Sequence, residues 1–306
     1  MHYYNSMQEL IGHTPLVKLN HLDLPEGVSI FAKLELFNPA GSVKDRTGRA
    51  MINAAEKRGE LKPGGTIILA TAGNTGLGIA FAALNRGYNL IVVVPLKFSI
   101  EKQTLMHALG AHIIHTPRED GMLGANARAN ELHLSIPGSI VFDQFSDQNN
   151  PQEHFKTTGP EIDQDLDGQI DAFIAGAGSG GTFTGIAKYL KSKHPAIQCI
   201  LADPVGSTLG GGEHADYNIE GIGNDFVADT FQIGLVDSAI KITDTEAFEG
   251  ARLLAAKEGI FAGSSSGAAL AAALKYAKSG AKGNIVIVLP DRGDRYFSKN
   301  LYAPIE

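Results

Sequence analysis

Asn38-Pro39-Ala40-Gly41-Ser42-Val43-Lys44-Asp45-Arg46-Thr47 joins two patterns of different period. Ahead of it, Ile30-Phe31-Ala32-Lys33-Leu34-Glu35-Leu36 reads as a strand, and behind it a helical pattern runs from about Val43 to Arg58. Ser42 takes the N-cap position, with Asp45 three residues on, as in a capping box with Asp in place of the usual Glu. Lys44 then falls in the first helical turn, where the helix end carries partial positive charge and favours acids. An ammonium held there is disfavoured, so its pKa should fall. A partly neutral amine is what Schiff-base chemistry with an aldehyde requires. Most lysines are simply exposed, and a surface lysine on an ordinary helix is the bland alternative until the rest of the chain is read.

The strand-to-helix order recurs. Strand-like runs at Thr66–Ala70, Leu90–Val94, His112–His115, Ser139–Phe142, Ala172–Ala175, Cys199–Ala202 and Asn284–Leu289 alternate with helical patterns. The helical patterns lie at Thr75–Arg86, Ser99–Leu109, Gly124–Leu134, after Asn149-Asn150-Pro151 to about Leu166, Thr184–Lys193, Glu246–Gly259 and Gly267–Lys278. Gly87 and Gly110 serve as helix stops. Continuous apolar strands between helices predict an α/β fold with parallel sheets covered on both faces. Two such doubly wound halves fit 306 residues, 1–145 and 146–306, with Asp147-Gln148-Asn149-Asn150-Pro151 as the crossing. No repeat of solenoid period and no low-complexity segment interrupts the pattern.

Three small-residue loops each follow a strand and open a helix: Thr71-Ala72-Gly73-Asn74-Thr75-Gly76-Leu77-Gly78, Gly176-Ala177-Gly178-Ser179-Gly180-Gly181-Thr182 and Gly263-Ser264-Ser265-Ser266-Gly267. Backbone N–H groups at a helix start bind anions, and glycine lets the anion approach closely. The second loop is the better phosphate cradle, with the hydroxyls of Ser179 and Thr182 beside its glycines; the first suits a carboxylate. Tight strand-to-helix turns alone could explain any one of these loops. A dinucleotide site fits poorly, because Gly73-x-x-Gly76-x-Gly78 has the wrong spacing. The strand ending Val94-Pro95-Leu96-Lys97 also lacks the ribose-binding acid expected roughly 20 residues on. Tyr189-x-x-x-Lys193 lies on an amphipathic, lysine-rich helix and reads as a solvated face.

Composition narrows the class. The net charge is −7 and the pI about 5.8, so no nucleic-acid footprint is visible. Apolar residues make up 43%, enough for a full core. No apolar run approaches the ~20 residues of a membrane span, and Met1-His2-Tyr3-Tyr4-Asn5-Ser6 does not open a signal peptide. Cys199 is the single cysteine, which excludes an internal disulfide and fits a reducing, cytoplasmic setting. His112 and His115 point to opposite strand faces, and no His/Cys/Asp group has ligand spacing, so no metal is expected. Ser264-Ser265-Ser266-Gly267 lacks the spacing of a hydrolase nucleophile elbow.

With these residues in place, the chain resembles the cysteine synthase and cystathionine β-synthase family of pyridoxal-phosphate enzymes. The likeness runs from Ile11-Gly12-His13-Thr14-Pro15 to Pro290-Asp291-Arg292-Gly293-Asp294-Arg295-Tyr296. It is carried by Asn38 to Arg46, Ala72-Gly73-Asn74-Thr75-Gly76, Glu101-Lys102 with Leu109-Gly110-Ala111, Gly178 to Thr182, Glu220-Gly221-Ile222-Gly223 and Gly263 to Gly267. The resemblance implies fold type II, the tryptophan synthase β-like arrangement of two α/β domains with pyridoxal 5'-phosphate in the cleft. The smaller N-terminal domain would be mobile, and the stretch before Asn38 would pack on the larger one.

It also implies roles. Lys44 would carry the cofactor and act as acid–base group at the substrate Cα. Asn74 would hydrogen-bond the ring hydroxyl, and Gly178, Ser179, Gly180, Gly181 and Thr182 would hold the phosphate. Ser265 would face the pyridine nitrogen; a hydroxyl there, rather than an Asp, leaves that nitrogen unprotonated and suits β-elimination and replacement. Thr71, Ala72, Gly73, Asn74, Thr75 and Gln144 would hold the substrate carboxylate, with Glu220, Gly221 and Gly223 at the closing mouth. The implied reaction is β-replacement on O-acetyl-L-serine or L-serine by sulfide or homocysteine. Elimination from cysteine with release of hydrogen sulfide is an alternative, and a non-catalytic interaction protein of the same fold is a second class. A homodimer and an association with serine acetyltransferase are implied partners. Ala72, where many cysteine synthases have Ser, and Glu220, where many have Gln, lean toward cystathionine β-synthases, as do Asp203 and Asp291. Glu220 would then pair with the homocysteine ammonium.

Overall fold

The alternating runs form two sheets in the computed structural model, which describes residues 3–96 and 99–302. Met1, His2 and Lys97, which entered the sequence reading, lie outside the described residues. The larger sheet orders its strands β1-β2-β10-β7-β8-β9: Leu16–Lys18, Val28–Leu34, Gly283–Leu289, Ala172–Ala175, Gln198–Pro204 and Ser238–Ile242. All its neighbours are parallel except β1 against β2. The smaller sheet is wholly parallel, in the order β5-β4-β3-β6: His112–Thr116, Asn89–Pro95, Thr66–Ala70 and Ser139–Val141.

Helices cover both faces. In β10, Ile285, Ile287 and Leu289 enter one core while Val286 and Val288 enter the other. Burying such a side chain on either face contributes about 1.5–3 kcal/mol, so a strand buried on both sides can be apolar throughout. The smaller sheet repeats this with Ile67 and Leu69 on one side and Ile68 on the other.

The helices are α1 Lys44–Arg58, α2 Asn74–Ala83, α3 Ile100–Ala108, α4 Gly121–Ser135, α5 Asn149–Lys156, α6 Thr158–Asp165, α7 Gly181–Lys193, α8 Asp244–Glu258 and α9 Ser264–Lys278. Helix α1 ends at Gly59, with Lys57 and Arg58 in its last turn, and buries Thr47, Gly48, Met51, Ile52 and Ala55. It meets α2 backbone to backbone: a Cβ on Gly78 would stand 2.2 Å from the Lys44 carbonyl oxygen.

Three readings of the sequence need correction. The stretch read as one helix after Pro151 to about Leu166 is two helices, the first already starting at Asn149, because Pro160 cannot donate to the carbonyl of Lys156 and the backbone turns at Thr157. Helix α2 stops at Ala83, and Asn85 turns left-handed before Gly87. Strands β1 and β9 went unread because both lie at sheet edges with mostly half-exposed side chains.

Candidate active site

The loops after β3, β7 and β10 converge where the strands end, the usual place for ligands in parallel sheets. They enclose a cavity of about 1310 Å³. Lys44, Thr71, Ala72, Gly73, Asn74, Thr75, Gln144, Gly178, Ser179, Gly180, Thr182, Glu220, Gly221, Gly223 and Ser265 all line it. Gly181 does not; a Cβ there would lie 2.3 Å from the Asn150 side chain.

Lys44 is the first residue of α1 and half-buried. Burial lowers its amine to about 8. The direction matches the sequence reading, and burial supplies a cause that the sequence reading did not name. The capping also differs. The Ser42 hydroxyl accepts from the Lys44 N–H at 3.3 Å, while the Asp45 carboxylate reaches back to the Ala40 N–H at 2.6 Å. The Lys44 Nζ stands 3.5 Å from the Ser179 hydroxyl, which also accepts from Asn150 Nδ2 at 3.0 Å.

The loop ahead of α7 fits a phosphate. Its carbonyls are taken by protein: Gly178 by Asn224 Nδ2 at 2.6 Å and Ser179 by the Thr230 hydroxyl at 2.5 Å. Among the described residues, the N–H groups of Gly178, Ser179 and Gly180 donate to no protein acceptor. Amides free at a helix start, with no acid on the loop, are the donor set an anion needs. Thr182 is held from behind by His154, whose Nε2 lies 3.1 Å from the Thr182 hydroxyl. A partly neutral amine and an anion cradle in one cleft fit a phosphorylated aldehyde.

The reason for the glycines differs from expectation. A Cβ on Gly180 would lie 2.2 Å from Phe231 Cβ, and one on Gly178 would lie 2.4 Å from the Gly221 carbonyl oxygen. Protein already makes a close approach at both positions, and Gly180 also has φ +79°. Gly180→Ala should therefore cost about 2–4 kcal/mol of folding stability. Thermal unfolding without cofactor and a cofactor titration should fall together; lost affinity at full stability would return the glycine to the ligand.

On the opposite wall, the Thr75 hydroxyl donates to Gln144 Oε1 at 2.6 Å, and the Gly73 N–H reaches the Thr71 hydroxyl at 3.3 Å. A Cβ on Gly73 would meet nothing within 4 Å, so this turn is open. Asn74 is bound on both sides of its amide, by Asp291 and Arg295. Ser265 is near the start of α9, and its neighbour Ser264 accepts from the Glu220 N–H at 3.1 Å.

At the mouth, Glu220 is already paired. Lys102 Nζ lies 2.7 Å from it and Lys299 Nζ 3.6 Å. An incoming ammonium would have to share that carboxylate with Lys102, which is only 3% exposed. The sequence reading missed Lys102, Asn150, Asp291 and Arg295, although Glu101-Lys102 and Asp291 to Tyr296 stood in the quoted motifs. Among the described residues no cluster of three metal-binding side chains occurs, and no helix is long and apolar enough to cross a membrane.

Known proteins show the same pattern. The pyridoxal-phosphate dependent enzyme profile matches residues 7–291. The chain is 52% identical over 295 residues to an O-acetylserine dependent cystathionine β-synthase of Bacillus subtilis, covering 96% of each. It is 46% identical over 300 residues to a cysteine synthase of Helicobacter pylori, covering 97% of this chain and 98% of that one. The crystal structure of the Helicobacter pylori O-acetylserine dependent cystathionine β-synthase superposes with a TM-score of 0.94 at 44% identity, covering 99% of this chain and 100% of the other. With the cleft, the amine and the anion loop all in place, this chain belongs to the pyridoxal-phosphate dependent enzyme family.

Proposed function

We propose that the protein catalyses β-replacement on O-acetyl-L-serine, joining a thiol to Cβ with loss of acetate. Homocysteine would give L-cystathionine and sulfide L-cysteine. The observation that carries this reading is the Lys44 amine, lowered to about 8, in one cleft with the Gly178–Thr182 loop. Gly178 to Thr182 hold the phosphate, Asn74 the ring oxygen and Ser265 the ring nitrogen. The cofactor would supply an electron-withdrawing ring that stabilises negative charge at the substrate Cα.

Lys44 would hold the cofactor's aldehyde group until the substrate amine displaces it, and the freed amine, lowered to about 8 by burial, would move the proton at Cα. Thr71 to Thr75, with Gln144, fix the substrate carboxylate so that the Cα proton meets the amine. Covering the mouth with Glu220 to Gly223 excludes water that would compete with the thiol. The enzyme is read as a cytoplasmic homodimer with serine acetyltransferase as an associate. The wholly buried Cys199, whose thiol burial pushes up to about 12, suits a reducing compartment. In this reading 1–145 carries the smaller, mobile unit beyond Asn38, while the stretch before Asn38, whose strands β1 and β2 join the larger sheet, goes with 146–306.

Steady-state kinetics with O-acetylserine or serine as donor, and sulfide or homocysteine as thiol, test the assignment. Absence of turnover with every pair would overturn it. Glu220→Gln should cost about 1–3 kcal/mol of stability by leaving the buried Lys102 ammonium without its counter-charge. It should change homocysteine and sulfide kinetics in proportion. A rise in KM confined to homocysteine would instead assign Glu220 to its ammonium.

A further inference from the structure

The Asn74 side chain is held at both ends by residues that follow β10. Its Nδ2 donates to Asp291 Oδ2 at 2.6 Å, and Arg295 Nη1 donates to its Oδ1 at 2.6 Å. A guanidinium can only donate and an ionised carboxylate can only accept, so the amide has one orientation. Its oxygen is consumed, and of its two N–H bonds one is used and one remains. The holders are themselves fixed. Asp291 is 1% exposed and Arg295 5%. Arg295 also donates to the Ala40 carbonyl, and the Tyr296 hydroxyl donates to Asp291 Oδ2 at 2.5 Å. Burial, and then the Asp291 carboxylate, raise the Tyr296 phenol well above its ordinary value, so it stays a donor.

We propose that Asp291 and Arg295 are positioning residues that lock the Asn74 amide as a hydrogen-bond donor toward the ring oxygen of the bound cofactor. A donor there favours the ionised oxygen, whereas a flipped amide would oppose two acceptors. The Arg295 contact polarises the amide carbonyl and strengthens its remaining N–H. The inference rests on the proposed seating of the cofactor against Asn74.

The test compares holoenzymes carrying Asp291→Ala, Asp291→Asn, Arg295→Met and, as control, Asn74→Ala. The readouts are the visible bands of the ionised and neutral ring oxygen, followed against pH, and the cofactor Kd. Asp291→Ala should shift the bands toward the neutral form and raise Kd about tenfold, one lost hydrogen bond's worth. Asp291→Asn should restore both, since its carbonyl still accepts from Asn74. If Asp291→Ala does not fold, Arg295→Met should show the same shift. Altered thermal stability with unchanged bands and Kd would overturn the inference. A shift in Asn74→Ala but in neither Asp291→Ala nor Arg295→Met would overturn it while leaving the seating intact. No shift in Asn74→Ala would overturn the seating itself.

Discussion

Lys44→Ala should lower turnover by about 10³–10⁴-fold or more while still binding pyridoxal phosphate. The proposed anchors other than Lys44 lie on separate elements: Asn74 at the start of α2, Gly178 to Thr182 at the start of α7 and Ser265 near the start of α9. Affinity should therefore fall without vanishing. Borohydride should fix the cofactor to the wild-type protein in the peptide containing Lys44 and leave the variant unlabelled. Near-normal activity in the variant would remove Lys44 from the reaction. Stability should move the other way. The folded state holds the amine at about 8 against an ordinary 10.5, so protonation opposes folding. That cost is full below about pH 8 and fades as the pH rises toward 10.5. Without cofactor, the uncharged Lys44→Met variant should be more stable than wild type at pH 7 by about 2 kcal/mol. The advantage should disappear by the upper limit, as urea unfolding across pH would show.

The largest stability loss is expected for Glu35→Ala. Arg46, fully buried on α1, takes both carboxylate oxygens of Glu35 at 2.8 Å and both of Glu161 at 2.7 Å. Burial pushes Glu35 up, yet Arg46 more than offsets it and holds the acid below its ordinary range. Removing Glu35 leaves the guanidinium half-paired and also removes the carboxylate acceptor that the Thr14 hydroxyl and the Asn38 amide use. Breaking such a pair costs about 3–5 kcal/mol, and urea midpoints would measure it. Lys44 lies two residues before Arg46, so catalysis should suffer as well. Glu161 adds a pH signature. Burial raises it, but Arg46 and Lys33 bring it to about 2 from an ordinary 4.5. Its contribution is complete above about 4.5 and is lost as the pH falls toward 2.

Both α/β halves and nearly every wall of the cleft were legible because their signals are local: apolar runs, helix stops, small-residue loops. Lys44 could be placed at a helix start from its neighbours, but the desolvation that lowers its amine comes from groups distant in the chain. Long-range partners stayed hidden for the same reason. Nothing around Asp291 announces that its carboxylate meets Asn74, 217 residues away, and nothing around Glu220 announces Lys102. The glycines at 178 and 180 were noticed for their anion-binding loop, but their protein neighbours Phe231 and Gly221 come close only in the folded chain. Edge strands β1 and β9 escaped because half-exposed strands carry little pattern.

Strand β2 has β10 as its parallel neighbour, with Val28 to Leu34 opposite Gly283 to Leu289. The Val43 N–H, just ahead of Lys44, donates to the Pro290 carbonyl at 2.8 Å. An early strand and the lysine's own seat thus depend on residues made roughly 250 positions later. At 5–20 residues per second, a ribosome takes roughly 12–50 s to cover that distance. For that interval the edge of β2 opposite β1 lacks its later partner β10, so the protein is born with an unpaired strand edge that its synthesis must outlast.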